Sequence, residues 1–388
     1  MGKHHSRKLI LTLRIMGAVL LVVQAIISTL LIVSLLRIGI FEGWIVGLAI
    51  CAMVVFVGVC ITPLFIKHKS LIVVRIICML LSVAISIGGI FALRYTDAFD
   101  AFLDKVSSTI VNEAPVEEGE KGLTERPFIL YISGVDSRTT VDNPTALSDV
   151  NILVVVNPGQ SKILLASTPR DTYVQLHGTE GLKDKLTHAA MFGIEMSKAT
   201  LEDFWEIAVD RVLKVSFDTV VDVVDELDGI EIYSDTTMSL KSERGGKMCY
   251  FVEGKQTVDG ECALRFSRER KKYYTGDKHR GANQQEVLTA IIQKLSGSKE
   301  YLLKAPEILN AAADSFETDL SRDEITAFIK MQLNEAKDWQ IESVALDGDG
   351  VYDLTYTHES DGPLFVMIPY TNSYEEVKAK INEYLKNE

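Results

Sequence analysis

Only five cysteines occur in 388 residues, and none has Cys-x-x-Cys or zinc-ligand spacing, which removes dithiol redox and structural-zinc readings. The chain has no Gly-x-x-x-x-Gly-Lys-Ser/Thr loop and no Gly-x-Gly-x-x-Gly turn, so a P-loop and a dinucleotide fingerprint are excluded. No Ser or Cys nucleophile motif accompanies the histidines, and His188 therefore reads as a structural or rim residue rather than a base. Internal repeats and low-complexity tracts are absent. Positive charge is in deficit, with 40 Lys and Arg against 53 Asp and Glu and a formal net charge of −13.

What the chain does have, in its first quarter, is long apolar runs. Ile15–Leu36, Trp44–Ile66 and Ile76–Leu93 carry no charge over 22, 23 and 18 residues, long enough for three transmembrane helices. No small-residue cleavage site clearly follows the first run, and two more spans succeed it, which argues against a removed signal peptide. Lys3, Arg7, Lys8 and Arg14 precede the first span, and Lys67, Lys69 and Arg75 lie between the second and third. The loop between spans one and two has Arg37 offset by Glu42. The positive-inside rule then puts the N-terminus in the cytoplasm and everything after about residue 95 outside. A nucleic-acid partner is disfavoured for an acidic domain in that location.

The expected organisation is a membrane region over 1–94, an extracytoplasmic tether over 95–123 and one α/β domain with a mixed central sheet over 124–388. Asp97–Val111 suits a short helix continuing from the third span, and Asn112–Gly122 reads as an acidic linker. Of the cysteines, Cys51, Cys60 and Cys78 lie in spans. Cys249 and Cys262 lie outside, where a disulfide can persist, although spacing alone leaves the bridge open.

Three strand signals open the domain: Phe128–Ser133, Asn151–Val156 and Ser161–Ala166. Asn157-Pro-Gly-Gln160 is a turn, so the last two strands should form an antiparallel hairpin. If the first pair is also antiparallel, Asp136, Asp149 and Thr168-Pro-Arg170-Asp171 share one rim of the sheet. Two carboxylates and an arginine there suggest a divalent metal with a bound phosphate, against ordinary turn and strand-end residues as the alternative. Helix-type spacing covers Leu186–Ser197, Lys198–Leu213 and Thr219–Leu227, with strands at Lys214–Phe217 and Ile230–Tyr233. Asp184 and Lys185 read as a solvated loop or as rim contacts. Ser321-Arg-Asp-Glu324 opens a helix to about Leu333, Gln340–Leu346 and Pro363–Ile368 are strands, and Ser373-Tyr-Glu-Glu376 opens a last helix.

The most informative stretch runs from Arg265 to Gln285. Seven Lys and Arg stand against two acids between Arg265 and Arg280, a local positive cluster in an acidic protein. Arginine predominates, and its planar fork matches phosphate oxygens two at a time. Gln284–Leu295 carries an amphipathic stripe, so Arg280 and Gln284 sit near a helix N-terminus, a favourable position for phosphate. The alternative is a solvated charged loop. A membrane-tethered domain with such a site best suits a lipid-linked pyrophosphate.

These residues resemble the LytR–CpsA–Psr family of bacterial cell envelopes. The resemblance covers about residues 124 to 388 and rests on Gly134-Val-Asp136-Ser-Arg138, Ser148-Asp149-Val-Asn-Ile, Thr168-Pro-Arg170-Asp171-Thr, Lys183-Asp-Lys-Leu-Thr-His-Ala, and Arg268-Glu-Arg270 with Gly276-Asp277 through Arg280 to Gln284-Gln285. The CpsA-like capsule branch looks closest. The resemblance implies an extracytoplasmic phosphotransferase of the bacterial cell membrane. It would move a capsular polysaccharide or wall teichoic acid from an undecaprenyl-pyrophosphate carrier to peptidoglycan, usually onto the 6-hydroxyl of N-acetylmuramic acid. By matching position, Asp136 and Asp149 would hold Mg²⁺, or Mn²⁺ in its stead. Arg138, Arg170, Arg268, Arg270 and Arg280 would bind the pyrophosphate with Gln284, and Asp277 would orient the arginines. The polyprenyl chain would lie between sheet and helices. Two departures stand out: relatives often carry an accessory domain after the last span and an arginine where this chain has Ala282. The rival readings are a metal-dependent lipid-pyrophosphate hydrolase and a non-catalytic regulatory or scaffold protein.

Overall fold

A computed structural model describes residues 2–66, 68, 71–107, 122–135, 147–242, 246–274, 276–302, 304, 308 and 316–386. The chain divides into two units, Met1–Leu103 and Asp104–Glu388.

In the first unit the three apolar runs form α1 (Gly2–Ile38), α2 (Gly43–Phe65) and α3, which starts at Ile72 and ends at Ser107 beyond the unit's boundary. Each is long and apolar enough to cross a membrane, and apolar side chains such as Val19, Val54, Val55 and Phe91 face outward, a surface suited to lipid rather than water. Helix ends leave carbonyls without intrahelical partners. At the end of α2, Arg75 Nε donates to Pro63 O at 3.0 Å, and Arg14 Nε donates to Leu64 O. Ser34 and Thr96 hydroxyls meet at 2.8 Å, tying α1 to α3. The expected continuation of the third span is helical to Ser107, while 112–121 of the expected linker lies outside the described residues.

The second unit is built on a sheet in the order β11-β6-β1-β2-β3-β12. Its members are β1 (Phe128–Val135), β2 (Ser148–Asn157), β3 (Lys162–Ser167), β6 (Arg211–Ser216), β11 (Phe316–Thr318) and β12 (Gln340–Ala345), while β4 (Tyr173–Gln175) and β5 (Lys183–Lys185) pair with each other outside it. β1 and β2 pair antiparallel, as do β2 and β3, whereas β1 with β6 and β3 with β12 run parallel. The sheet is therefore mixed, as the sequence indicates. The alternation of side chains sends Ile129, Tyr131, Leu153, Val155 and Leu164 to one face. There α5 (Ile194–Trp205) contributes Leu201 and Trp205, and α10 (Thr371–Tyr384) contributes Val377 and Ile381. Ile132, Ile152, Val154, Ile163 and Leu165 take the other face, with Leu288 and Ile292 of α8 (Asp277–Gly297) partly buried against them.

Beside the sheet, a second core gathers α6 (Phe217–Glu226), β7 (Ile230–Ser234), β8 (Met238–Lys241), β9 (Met248–Phe251), β10 (Gly254–Val258) and α7 (Gly260–Ser267). Cys249 of β9 and Cys262 of α7 form a disulfide within it. The helix expected over Lys198–Leu213 stops at Trp205, where Glu206 adopts a left-handed conformation, and Arg211–Ser216 pairs with β1 instead. The segment 186–197 is not one helix either: α4 (Leu186–Ala189) and α5 are separated at Gly193, whose φ of 100° disfavours a side chain. The capping box at Ser321 and Glu324 does open α9 (Arg322–Glu335).

Candidate functional site

Hairpin geometry sets the first half of the site. The β2–β3 register ends at Ile152 opposite Ser167, and the Thr168 N–H donates to Asn151 O at 2.9 Å. Asp149 near the start of β2 thus faces the chain just past β3, where Arg170 Nη1 donates to Asp149 Oδ1 at 2.6 Å. Asp171 beside it lies 3.6 Å from Arg170 Nε and 3.0 Å from Lys185 Nζ.

The second half comes from the basic stretch. Helix α7 ends at Arg268, which caps it, and the guanidinium stacks 4.5 Å from the Phe217 ring. Glu269 is sealed in the turn: it accepts from the Lys272 N–H at 2.9 Å and from Arg265. Burial works against its charge, yet those donors hold its carboxyl below the usual range. Helix α8 begins seven residues ahead of Gln284. Arg280 is therefore in its first turn, 2.9 Å from Asp277, and Gln284 lies a turn further in. Two buried amides fix that helix: Asn283 Nδ2 donates to Phe266 O at 3.1 Å, and Gln285 Nε2 donates to Leu165 O at 2.9 Å and Val344 O at 2.7 Å.

These elements enclose a cavity of about 380 Å³ lined by Asp149, Arg170, Phe217, Arg265, Arg268, Glu269, Arg270, Lys271, Arg280 and Gln284. Six cationic side chains meet two carboxylates there. Burial acts against the Arg170 cation and Asp149 outweighs it, so Arg170 is held above its ordinary value. Arg280 is pushed below its own, first by burial and then by Arg170 and Arg270, against the pull of Asp277 and Asp149. A guanidinium does not shed its proton at ordinary pH. A depressed value therefore marks a positive charge that its carboxylate neighbours undercompensate, and an anion relieves it.

Six of the expected residues, Asp149, Arg170, Arg268, Arg270, Arg280 and Gln284, come together in this cavity. Asp136 and Arg138 lie outside the described residues. Asp277 pairs with Arg280 at the rim of an adjoining cavity. Sequence reasoning missed Phe217, Arg265, Glu269 and Lys271 as lining residues. Arg265 was legible from its charge, whereas nothing in the sequence marks Phe217, which arrives through the turn from β6 into α6. Asp184 is a correction to the solvated-loop reading: it is fully buried, binding His188 Nδ1 at 2.5 Å and accepting from Thr357 N–H and Oγ1 at 2.8 and 2.6 Å. His188 is buried alongside it.

For a divalent metal, the described residues supply Asp149, whose Oδ1 is taken by Arg170. Among those residues no cluster of three or more His, Cys, Asp or Glu is arranged to hold an ion. One or two carboxylates do suffice for Mg²⁺ when substrate phosphates complete its shell, so the donor set fits a metal that binds together with its substrate.

A mixed-sheet α/β unit with an arginine-lined cavity, in a chain with three apolar helices of membrane-spanning length, defines the class as a membrane-anchored α/β protein. Residues 99–372 match the LytR_cpsA_psr family, and the chain belongs to that family. A relative in Halalkalibacterium halodurans, a polyisoprenyl-teichoic acid–peptidoglycan teichoic acid transferase TagU, is 30% identical over 73% of this chain and 90% of its own length. The corresponding TagV of Bacillus subtilis is 27% identical over 81% of this chain and 78% of its own. The crystal structure of B. subtilis TagV superposes with a TM-score of 0.56 at 28% identity, covering 67% of this chain and 98% of that one. A structure of TagT bound to LIIa-WTA gives 0.52 at 25% identity, covering 70% and 99%.

Proposed function

We propose that the chain transfers a glycopolymer from a polyprenyl-pyrophosphate carrier to peptidoglycan through a phosphodiester. The observation that carries this reading is the arginine cavity with its undercompensated Arg280, which suits a pyrophosphate, in a chain whose relatives are named teichoic acid–peptidoglycan transferases. Those names favour the teichoic-acid type of polymer over the capsular type. Arg170, Arg268, Arg270 and Arg280, with Gln284, would grip the phosphate oxygens. Asp277 would orient Arg280, and Arg138 would join from the β1–β2 connection.

In the reaction, an acceptor hydroxyl oxygen forms a bond to the phosphorus that bears the polymer. The bond from that phosphorus to the bridging oxygen breaks, and polyprenyl phosphate leaves with the electron pair. The hydroxyl proton passes to solvent or to the leaving phosphate. Fixed guanidinium groups neutralise charge as it moves to the leaving oxygen, which is how phosphoryl transfer is chiefly accelerated. Mg²⁺ held by Asp149 and Asp136, or Mn²⁺ there, would add Lewis-acid neutralisation of the same phosphates.

The carrier's apolar chain suits the sheet face toward α8, where Leu130, Val156, Leu213, Leu288 and Ile292 are only partly buried. A disulfide between Cys249 and Cys262 supports an oxidising, extracytoplasmic location for the second unit, in keeping with the basic residues that flank the spans. The test is replacement of Arg268 or Asp149 by Ala. Wall-bound polymer should fall by about 100-fold or more while near-UV circular dichroism stays native; normal levels of wall-bound polymer would refute the assignment.

A further inference from the structure

A second cavity, of about 210 Å³, adjoins the first and shares Asp149, Arg170, Arg280 and Gln284 with it. Its far wall comes from the turn after β12 and from a ribbon of β13 (Gly348–Asp353) and β14 (Leu364–Pro369). Phe365 in that wall is 45% exposed, and Tyr352 opposite it on the neighbouring strand is 75% exposed. Their rings meet edge to face, 6.0 Å apart. Gly350 makes the arrangement feasible: a Cβ there would come within 2.5 Å of the Phe365 ring, so the bare strand lets the ring lie across it. The result is an aromatic plate beside the phosphate site.

Two further features separate this cavity from the first. Apart from the shared residues, its charged lining is Asp171, Asp277 and Asp347 against Lys278, the reverse of the arginine cavity. Each of these carboxylates is ion-paired, Asp171 with Lys185, Asp277 with Arg280 and Asp347 with Lys278, and its remaining lone pairs can accept from hydroxyl groups. Asn151, 3% exposed, also lines it. The Asn151 Oδ1 accepts from Tyr131 Oη at 2.7 Å and Ser148 Oγ at 2.9 Å, which fixes the amide, and its Nδ2 donor has no partner among the described residues. A plate for the C–H face of a ring and acceptors for hydroxyls together describe a sugar site.

We propose that this second cavity seats a pyranose ring of the acceptor glycan, with Phe365 as its stacking residue. The proposal rests on the transfer reading above and deepens it. In-line displacement requires the attacking hydroxyl and the leaving oxygen on opposite sides of the phosphorus. A ring stacked on Phe365 approaches the shared residues from the ribbon side, while the carrier phosphate is held among the arginines of the first cavity. The polyanionic donor is matched to the cationic cavity and the polyhydroxyl acceptor to the acidic one.

The test uses the full-length chain in lipid nanodiscs, a polyprenyl-pyrophosphate-linked teichoic acid polymer as donor, and lysozyme-released peptidoglycan glycan fragments as acceptor. Phe365→Ala should raise KM for the glycan by about fivefold to tenfold, leave KM for the donor unchanged, and abolish saturation-transfer NMR contacts to the glycan fragment. Phe365→Trp, which keeps a stacking face, should restore both. Unchanged glycan KM in a folded Phe365→Ala protein overturns the acceptor assignment and leaves the transfer reading standing. A rise in donor KM alone overturns it too, by giving the cavity to the donor's own sugar. Absence of any transfer by the wild-type chain overturns the transfer reading and this proposal with it.

Discussion

Glu269 is 2% exposed in the middle of a cationic segment, between the two arginines Arg268 and Arg270. Its carboxylate binds Arg265 and the Lys272 N–H, which folds the turn so that its flanking arginines line the cavity. Glu269→Gln keeps the shape and loses the charge. Donor KM should rise several-fold, as a weakened charge-assisted contact gives, with kcat less affected; steady-state kinetics on the full chain distinguish the two. The carboxyl is held below its ordinary range. Its contribution to stability is therefore present above the unfolded value of about 4.3 and lost as pH falls through the lower native one. Glu269→Gln should accordingly shrink the drop in urea midpoint on going from neutral pH to about pH 3; an unchanged drop would remove Glu269 from the acid response. The arginines were readable from the sequence because charge clusters survive without structural context. Glu269 was countable but not interpretable, since a buried carboxylate and a solvated one have the same letter.

Helix α8 carries Arg280 and Gln284, and its position depends on Gln285, which binds carbonyls of both β3 and β12. Gln285→Leu strips donors from two carbonyls of adjoining strands and should cost about 1–3 kcal/mol, measured by chemical unfolding, and should loosen donor binding as Arg280 drifts. Element by element, the sequence was most legible where local chemistry decides. Asn157-Pro-Gly-Gln160 specifies the β2–β3 turn, and Ser321 with Glu324 specifies the start of α9. It was least legible where pairing decides. β13 (Gly-Asp-Gly-Val-Tyr-Asp) has poor strand formers and is a strand because β14 pairs with it. Arg211–Leu213 fell within helix-type spacing and is strand because β1 lies beside it, whereas Lys214–Ser216 was already legible as strand. The last helix starts at Thr371, ahead of Ser373, whose hydroxyl instead accepts from the Asp347 N–H at 2.9 Å. Of the second cavity's ribbon wall, β14 was legible as the strand Pro363–Ile368, while β13, whose floor is glycine, was not.

Across the whole molecule, three helices of membrane-spanning length precede a unit that contains a disulfide and an arginine-lined cavity. The charge bias of the loops predicts that protease added to intact protoplasts digests the second unit and spares the N-terminus; protection of the second unit would reverse the orientation. A polyprenyl phosphate retained by the purified chain, seen by mass spectrometry, would support the apolar face toward α8 as the carrier site. The most direct measurement is reconstitution: the full-length chain in nanodiscs with polyprenyl-pyrophosphate-linked polymer, Mg²⁺ and peptidoglycan. Polymer bound covalently to peptidoglycan, with polyprenyl phosphate released in equal amount and both lost in Arg268→Ala, is the predicted result. Polymer phosphate released only to water with acceptor present, or no dependence on Arg268, would contradict it.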